Sequence, residues 1–294
     1  MKLSLYGNKR QRGDTAPLEN LLSILSRQFP AVQCSVQEDF MTFMRSKFDV
    51  PENITETFRE ADPEADLALS IGGDGTFLRT ANRIGALQTP IMGLNSGHLG
   101  YMSAADITEA PEIIDDIMLG HYRIEPRTVL QVSGPKDLMP RRPYALNEVA
   151  ILKKDTASMI TVEAGIGEWS SASYRADGLI IATPTGSTGY NLSVGGPIVA
   201  PGASVWTMAP VAPHSLNMRP LVVPDTTVIE LTVSSRADHF MLSLDGRSTD
   251  IPTGATLRVS RAPYTVNTVV RRAADFIATL REKLLWGRDN AEQF

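Results

Sequence analysis

The sequence predicts two domains of different class: an N-terminal α/β domain and a C-terminal all-β domain. Three observations carry that expectation. The chain has 294 residues, enough for roughly two domains of about 150 residues each. Up to residue 122, short apolar runs alternate with segments of helical periodicity, which is the pattern of a parallel sheet with helices on its faces. From about Arg123 the helical spacing stops, and short segments rich in β-branched residues follow one another between clusters of Gly, Pro, Asp and Ser. Such a run predicts a sandwich or a comparable antiparallel domain.

Residues 3–7 (LSLYG) read as the first strand. Thr15 and Pro17 open a helix in which Leu18, Leu21, Leu22, Leu25 and Phe29 share one apolar face. Ala31 to Val36 is a second strand, and Asp66 to Ile71 a third, followed by a glycine turn and a helix through Thr80. Pro90 to Leu94 is a fourth strand that again ends in a glycine-bearing turn. Thr108 and Pro111 begin a helix with Ile113, Ile114, Ile117 and Met118 on one side and Gly120 as its stop. In the second half, RTVLQVS (127–133), ALNEVAIL (145–152), MITVEAGI (159–166), GLIIAT (178–183), TVIELTVS (227–234), HFMLSLDG (239–246) and ATLRVS (255–260) are strand candidates. Phe276, Ile277, Leu280 and Leu284 restore helical spacing, and Gly287 can close that helix. The expected boundaries are therefore 1–122 for the α/β domain, 123–270 for the β domain, and 271–294 for a helical tail that returns to the first domain.

Composition narrows the function. Hydrophobic residues make up 43% and charged residues 21% of the chain, ordinary for a globular protein and unlike a disordered or collagen-like one. Lys and Arg number 28 against 33 acids, a net charge of −5 with no broad basic stripe, so nucleic acid is not an expected partner. No apolar run approaches the roughly 20 residues of a membrane span. The N-terminus lacks a secretory signal, and a cytoplasmic location is expected. The single cysteine, Cys34, excludes an intrachain disulfide and a Cys-rich zinc site and reads as a small core residue.

Two glycine-rich turns announce the chemistry. Gly72-Gly73-Asp74-Gly75-Thr76 follows the strand DLALSI, and ligands of open α/β sheets bind outside the carboxyl ends of the strands. Glycines there admit a phosphate close to the backbone, and the next helix points its free N–H groups at the anion. Neither GxGxxG nor GxxxxGK[ST] is present. A carboxylate at Asp74 facing phosphates needs a job: holding a magnesium ion, or accepting a proton from an attacking hydroxyl. Alternatively Asp74 merely caps the next helix. The second turn, TPTGSTGYNLS (183–193), is dense in hydroxyls and carries Tyr190, a flat face on which a base could stack; a plain Ser/Thr-rich hairpin loop is the competing reading. Asn147-Glu148 interrupts the apolar run ALNEVAIL. The two either face a ligand, where Asn147 can read a base edge and Glu148 can accept from ribose hydroxyls, or form an edge-strand pair.

The blocks IGGDGTFLR (71–79), GLNSGHLGYM (93–102), LNEVAI (146–151) and YRADGLIIATPTGSTGYNLSVGGPIVAP (174–201), with FIATLREKLLWG (276–287), resemble the bacterial NAD kinases in content, order and spacing. GGDGT alone also occurs in diacylglycerol and sphingosine kinases, whereas TPTGSTGYNLSVGGP is specific to NAD kinases. The resemblance implies a Rossmann-like parallel sheet, a sandwich-like β domain, NAD bound between the two, and phosphorylation of the 2′-hydroxyl of its adenosine ribose by ATP or another donor. It matches Asp74 to the catalytic aspartate, with Gly72, Gly73, Gly75 and Arg79 at phosphates. It places Asp74, Gly75, Tyr101, Asn147, Glu148, Arg175, Asp177, Thr188, Gly189, Tyr190, Asn191, Leu192, Ser193, Ala212 and, more loosely, Asp245 at NAD. Mg²⁺ is expected on the donor phosphates, with no ligand assigned in the chain, and a homodimer or homotetramer as the assembly. The sequence departs from the family at Gly189, usually Ala, and at Tyr101, usually Phe; neither change removes a catalytic group. A lipid kinase, a nucleotide sensor without catalysis and a dehydrogenase are the competing functions. The first would not need the 185–193 loop, the second would bind NAD and make no NADP, and the third lacks its GxGxxG.

Overall fold

The computed structural model describes residues 1–8, 15–54, 56–96, 100–102, 105–155, 159–271 and 275–287. The middle of GLNSGHLGYM (97–99) and the end of the tail (288–294) lie outside the described residues. The chain forms two compact units, Met1–Pro126 with Val266–Phe294, and Arg127–Thr265.

In chain order the first unit contains β1 (Lys2–Tyr6), α1 (Ala16–Arg27), β2 (Gln33–Gln37), α2 (Glu38–Arg45), β3 (Glu56–Phe58), β4 (Leu67–Ile71), α3 (Asp74–Ile84), β5 (Ile91–Asn95), β6 (Ala105–Asp106), α4 (Ala110–Met118) and β7 (Tyr122–Arg127). The second contains β8 (Leu130–Ser133), β9 (Tyr144–Ala145), β10 (Glu148–Leu152), β11 (Ile160–Ile166), β12 (Ala172–Ala176), β13 (Gly178–Ala182), α5 (Tyr190–Ser193), β14 (Val205–Val211), β15 (Leu221–Pro224), β16 (Ile229–Ser234), β17 (His239–Leu244), β18 (Arg247–Pro252) and β19 (Thr256–Arg261). The chain then returns to the first unit as β20 (Val266–Arg271) and α6 (Phe276–Leu284).

The first sheet runs β3-β2-β1-β4-β5-β20-β7, with β6 beside β5. Every pairing from β3 across to β20 is parallel. β1, β4 and β5 are buried along their whole length, as strands with both faces covered must be; they are mostly apolar, with Lys2, Ser4, Ser70 and Asn95 as their buried polar residues. Leu18, Leu21, Leu22 and Leu25 of α1 join β1, β2 and β4 side chains in one core. Because β2 lies on one side of β1 and β4 on the other, the strand order reverses between β1 and β4. That reversal is the switch point at which such sheets bind ligands, and the Gly72–Gly75 turn leaves the carboxyl end of β4 there.

The sequence pattern did not mark α2, β3, β6, β7 or β20, and two of these bear on the core and the sheet. α2 is only eight residues long, yet it buries Phe40, Met41, Phe43 and Met44, and the side chain of Gln37 caps it by accepting from the Phe40 amide at 3.1 Å. β20 falls inside the 123–270 range but pairs with β5, Thr268 opposite Ile91. Its β-branched composition identifies a strand without saying which sheet it joins.

The second unit consists of two six-stranded sheets, β15-β14-β13-β10-β17-β18 and β12-β11-β16-β19-β8-β9, antiparallel throughout. Inward side chains of both, including Val149, Ile181, Trp206, Phe240, Val162 and Leu257, form one core, the arrangement of a β sandwich. β13 is buried on both faces. Leu179 and Ile181 enter that core, while Ile180 and Ala182 meet Ala150 on the outer face, with Val194 packed over them. The hydroxyl-rich segment thus lies over the outer face of the β10–β13 pair.

Candidate active site

In the first unit, Gly72 adopts φ +145°, a backbone open chiefly to glycine. Gly73 is the N-cap of α3 and Asp74 its first residue. The cap reading of Asp74 is therefore corrected: no side chain caps this helix. The carboxylate turns to the 100–102 segment instead, where Oδ2 accepts from the Tyr101 amide and Oδ1 from the Met102 amide, both at 2.9 Å. A Cβ at Gly100 would collide with Asp74 Oδ1, so the lack of a side chain at Gly100 allows this approach. A carboxylate offers about four lone-pair sites, so the two amide bonds orient Asp74 and leave acceptor capacity. Phe77 and Thr76 donate back to the Gly73 carbonyl at 3.2 and 2.8 Å, which leaves the amides at the very start of α3 aimed out of the helix. Gly75 is exposed, as is Arg79, whose guanidinium donates to Thr76 Oγ1 at 3.0 Å. Gly72, Gly73, Asp74, Gly75, Arg79 and Tyr101 are thus brought together.

In the second unit, Asn147 and Glu148 sit where β10 begins. Thr183 ties the end of β13 to them: its amide donates to the Asn147 carbonyl at 2.9 Å and its hydroxyl to the Leu146 carbonyl at 2.6 Å. Asn147 Oδ1 and Glu148 Oε2 are buried and accept no hydrogen bond among the described residues. An unpaired buried acceptor costs about 1–3 kcal/mol, so a pair of them on neighbouring residues reads as a site awaiting donors. Burial, reinforced by the charge of Asp245, pushes Glu148 up to about 7. Gly189 lies against both: a Cβ there would stand 3.4 Å from Glu148 Oε2 and 3.5 Å from Asn147 Nδ2. Thr188 and Gly189 are half-buried and Tyr190 is 38% exposed, leaving its ring open to stacking.

Asn191 has a different place from that of a surface contact. Its side chain is fully buried, and Nδ2 donates to the Ser187 and Pro197 carbonyls at 3.2 and 3.1 Å. It pins the loop, and Gly196 has no Cβ because one would strike the Asn191 amide. Leu192 is half-buried and Ser193 exposed.

Arg175, Asp177 and Ala212 form a separate group where the chain passes from one sheet to the other. Asp177 donates its amide to the Val211 carbonyl at 2.9 Å, and its carboxylate pairs with Lys153 at 2.8 Å. Ala212 follows with φ +44°, and the exposed Arg175 accepts from the His214 amide at 2.9 Å. Asp245 lies at Asn147 and Glu148, with its carboxylate on their backbone amides. Sequence reasoning singled out neither Lys153 nor Arg247, and Thr183 only as one hydroxyl of the 183–193 segment. Only the tertiary pairing reveals these three. Among the described residues there is no group of three or more His, Cys, Asp or Glu side chains that could hold a metal ion, and no helix is long and apolar enough to cross a membrane.

A doubly wound α/β unit with a glycine turn at its switch point, on one chain with a sandwich that presents an unpartnered amide and carboxylate, defines a nucleotide-handling enzyme. Comparison with known proteins gives the particular kind. Residues 22–122 match the ATP-NAD kinase N-terminal domain and residues 146–271 the ATP-NAD kinase C-terminal domain. An NAD kinase of Bacteroides fragilis is 40% identical over 290 residues, 99% of each chain. Among solved structures, yeast NADH kinase complexed with NADH superposes with a TM-score of 0.86 at 24% identity, over 98% of this chain and 88% of that one. An NAD kinase from Archaeoglobus fulgidus in complex with ATP gives 0.69 at 25% identity, over 96% and 99%. The chain belongs to the NAD kinase family.

Proposed function

We propose that the protein transfers the terminal phosphate of ATP to the 2′-hydroxyl of the adenosine ribose of NAD, giving NADP and ADP. The carrying observation is the pair of buried, unpartnered acceptors at Asn147 and Glu148 beside the half-buried Thr188–Gly189 backbone. Vicinal ribose hydroxyls supply the donors that Glu148 lacks, Asn147 reads the adenine edge, and Tyr190 offers its ring to the base. Arg175, Asp177 and Ala212 serve the rest of the dinucleotide. Asp74, already oriented by two amides, acts on the 2′-hydroxyl: it accepts the proton as the oxygen bonds to phosphorus and ADP leaves. The amides of the Gly72–Gly75 turn, the start of α3 and Arg79 neutralise phosphate charge. Mg²⁺ supplies further charge neutralisation and comes with the donor phosphates; no chain residue is assigned to it and no step is routed through it. The same family reading expects a homodimer or homotetramer in the cytoplasm.

A coupled assay with NAD, ATP and Mg²⁺, read by an NADP-specific dehydrogenase, tests the activity; absence of NADP formation overturns it. Asp74→Asn should lower kcat by roughly 10²–10⁴-fold, the usual range for a general base, with KM for NAD within about threefold. Equal losses in kcat and in NAD affinity would contradict a role in the chemical step.

A further inference from the structure

β17 and β18 are joined by two residues, Asp245 and Gly246, with φ +49° and +77°. This is the Asp-Gly pattern of a type I′ hairpin. β17 also pairs with β10, Val149 opposite Leu244, so the turn lies beside the residues that open β10. There the Asp245 carboxylate gathers three successive amides. Oδ2 accepts from Leu146 at 2.7 Å, and Oδ1 accepts from Asn147 at 2.8 Å and Glu148 at 3.1 Å. In return the Asp245 amide donates to the Glu148 carbonyl at 3.2 Å. Arg247, on the other side of the same turn, donates to the Arg142 and Tyr144 carbonyls at 3.1 and 2.6 Å. The hairpin therefore grips residues 142–148 by their main chain, and Thr183 grips residues 146 and 147 from the other strand.

Both oxygens of Asp245 are committed to backbone donors, an arrangement made for the ionised carboxylate. The family resemblance places this residue at the ligand. The geometry gives it another task. We propose that Asp245 is a positioning residue, which holds Asn147 and Glu148 in the conformation that presents their side chains to the dinucleotide through its three bonds to the 146–148 amides. This rests on the reading of Asn147 and Glu148 as the NAD-binding pair.

The same placement sets Asp245 as the neighbouring charge of Glu148. Burial comes first in raising Glu148, and Asp245 adds to it. β13 (GLIIA), β8 (LQVS) and residues 183–189 carry no titratable side chain, and His239 of β17 lies at the opposite end of the β10 pairing, beyond Met241 opposite Leu152. Arg247 acts on Asp245 itself, favouring its charge against the burial that raises it. If ionised Glu148 is the form that accepts from ribose hydroxyls, NAD affinity rises with pH across its titration, and the midpoint of that rise reports on Asp245.

The experiment measures NAD dissociation constants by calorimetry between pH 5.5 and 8.5, with urea unfolding alongside, for the wild type, Asp245→Asn, Asp245→Glu, Glu148→Gln and the Asp245→Asn/Glu148→Gln double variant. Asp245→Asn should weaken NAD about tenfold or more, the loss expected for one or two charged hydrogen bonds. It should also move the midpoint toward acid. Asp245→Glu keeps the charge but displaces it, so it should lose affinity with little movement of the midpoint. Glu148→Gln should abolish the pH dependence, and the double variant should bind little worse than the worse single one, because the two act through one element. Wild-type affinity in both Asp245 variants overturns the proposal. So do losses that multiply in the double variant, which mark a direct and independent ligand contact, or a lowered urea midpoint without any change in affinity, which marks a purely structural residue. A wild type that fails to bind NAD overturns the functional reading on which the proposal rests.

Discussion

Gly186→Ala isolates the seating of the hydroxyl-rich loop on the start of β10. Gly186 is buried, and a Cβ there would fall on the Cα, carbonyl carbon and carbonyl oxygen of Asn147. Its φ is not positive, so the constraint is space and not backbone conformation. Asn147 cannot step aside: its amide is bonded to Asp245 at 2.8 Å and its carbonyl to the Thr183 amide at 2.9 Å. Forcing a methyl group into a packed site costs about 1–3 kcal/mol. If the loop withdraws, the two Thr183 bonds to Leu146 and Asn147 add about 1 kcal/mol each. With the loop withdrawn, the expected loss is thus about 3–5 kcal/mol, read as a lowered urea midpoint at unchanged slope, with weakened NAD binding measured on the folded variant. Gly189→Ala is the control. Its nearest neighbours would be the Gly186 carbonyl oxygen at 3.3 Å and Glu148 Oε2 at 3.4 Å, a contact that a shift of a few tenths of an ångström relieves, so the change should cost less than Gly186→Ala, about 1 kcal/mol. Wild-type stability in Gly186→Ala, or equal damage in the two variants, would refute the steric argument.

Two further expectations concern the first unit. Burial opposes the charge of Asp62, but the Ser35 hydroxyl at 2.6 Å, the Glu64 amide at 3.0 Å and Lys2 at 3.0 Å hold its carboxyl below the usual range; a carboxylate lowered on folding stabilises above its unfolded value near 4 and loses that contribution as pH falls through the folded one. Asp62→Asn should therefore cost about 1–3 kcal/mol at pH 7 and less at pH 2.5, by urea unfolding at both; a pH-independent loss argues against the charge. Burial pushes the Cys34 thiol up to about 11, so a thiol reagent at pH 8 should label it only as fast as the protein opens, and labelling at the rate of a free thiol would contradict its place in the core.

Much of the fold was legible where one physical signal dominated. The Leu18–Leu21–Leu22–Leu25 spacing marks α1, and the LALSI and GLIIA runs mark strands buried on both faces. α2 was not legible because eight residues give barely two turns of periodicity, and its cap is a glutamine outside the usual Ser, Thr, Asp and Asn set. The placement of β20 depended on which sheet had a free neighbour, which no local pattern encodes. At the site, residue types could be read but not bonding partners. From sequence, Asp74 in GGDG can hold a metal, accept a proton or cap the helix, and only the 100–102 segment, some 27 residues away, shows where its oxygens go. Asp245 lies 97 to 99 residues from the amides it holds, too far for any spacing rule.

Glu148 shows how the sandwich trades stability for recognition. A glutamate near the start of a buried strand, beside a second carboxylate, disfavours the folded state once it ionises, and its rise to about 7 has the same cause. A Gln or an apolar residue would relieve it. The arrangement persists because its surroundings leave no relaxed alternative: Asp245 fixes the amides, Thr183 fixes the carbonyls, and Gly186 brings the loop hard against Asn147. Held in this way, Glu148 Oε2 meets no donor among the described residues, and a donor from outside the chain or water can satisfy it. On the proposed function, a ribose diol brings two O–H donors, so binding offsets a penalty already present in the free protein. A ligand of the same shape without those hydroxyls would seal the carboxylate from water and leave it unpaired. Sites built to hydrogen-bond a hydroxyl reject analogues lacking it far more strongly than apolar pockets reject a missing methylene. Discrimination for the ribose over a deoxy sugar therefore follows from the same unsatisfied atom that makes Glu148 costly to fold.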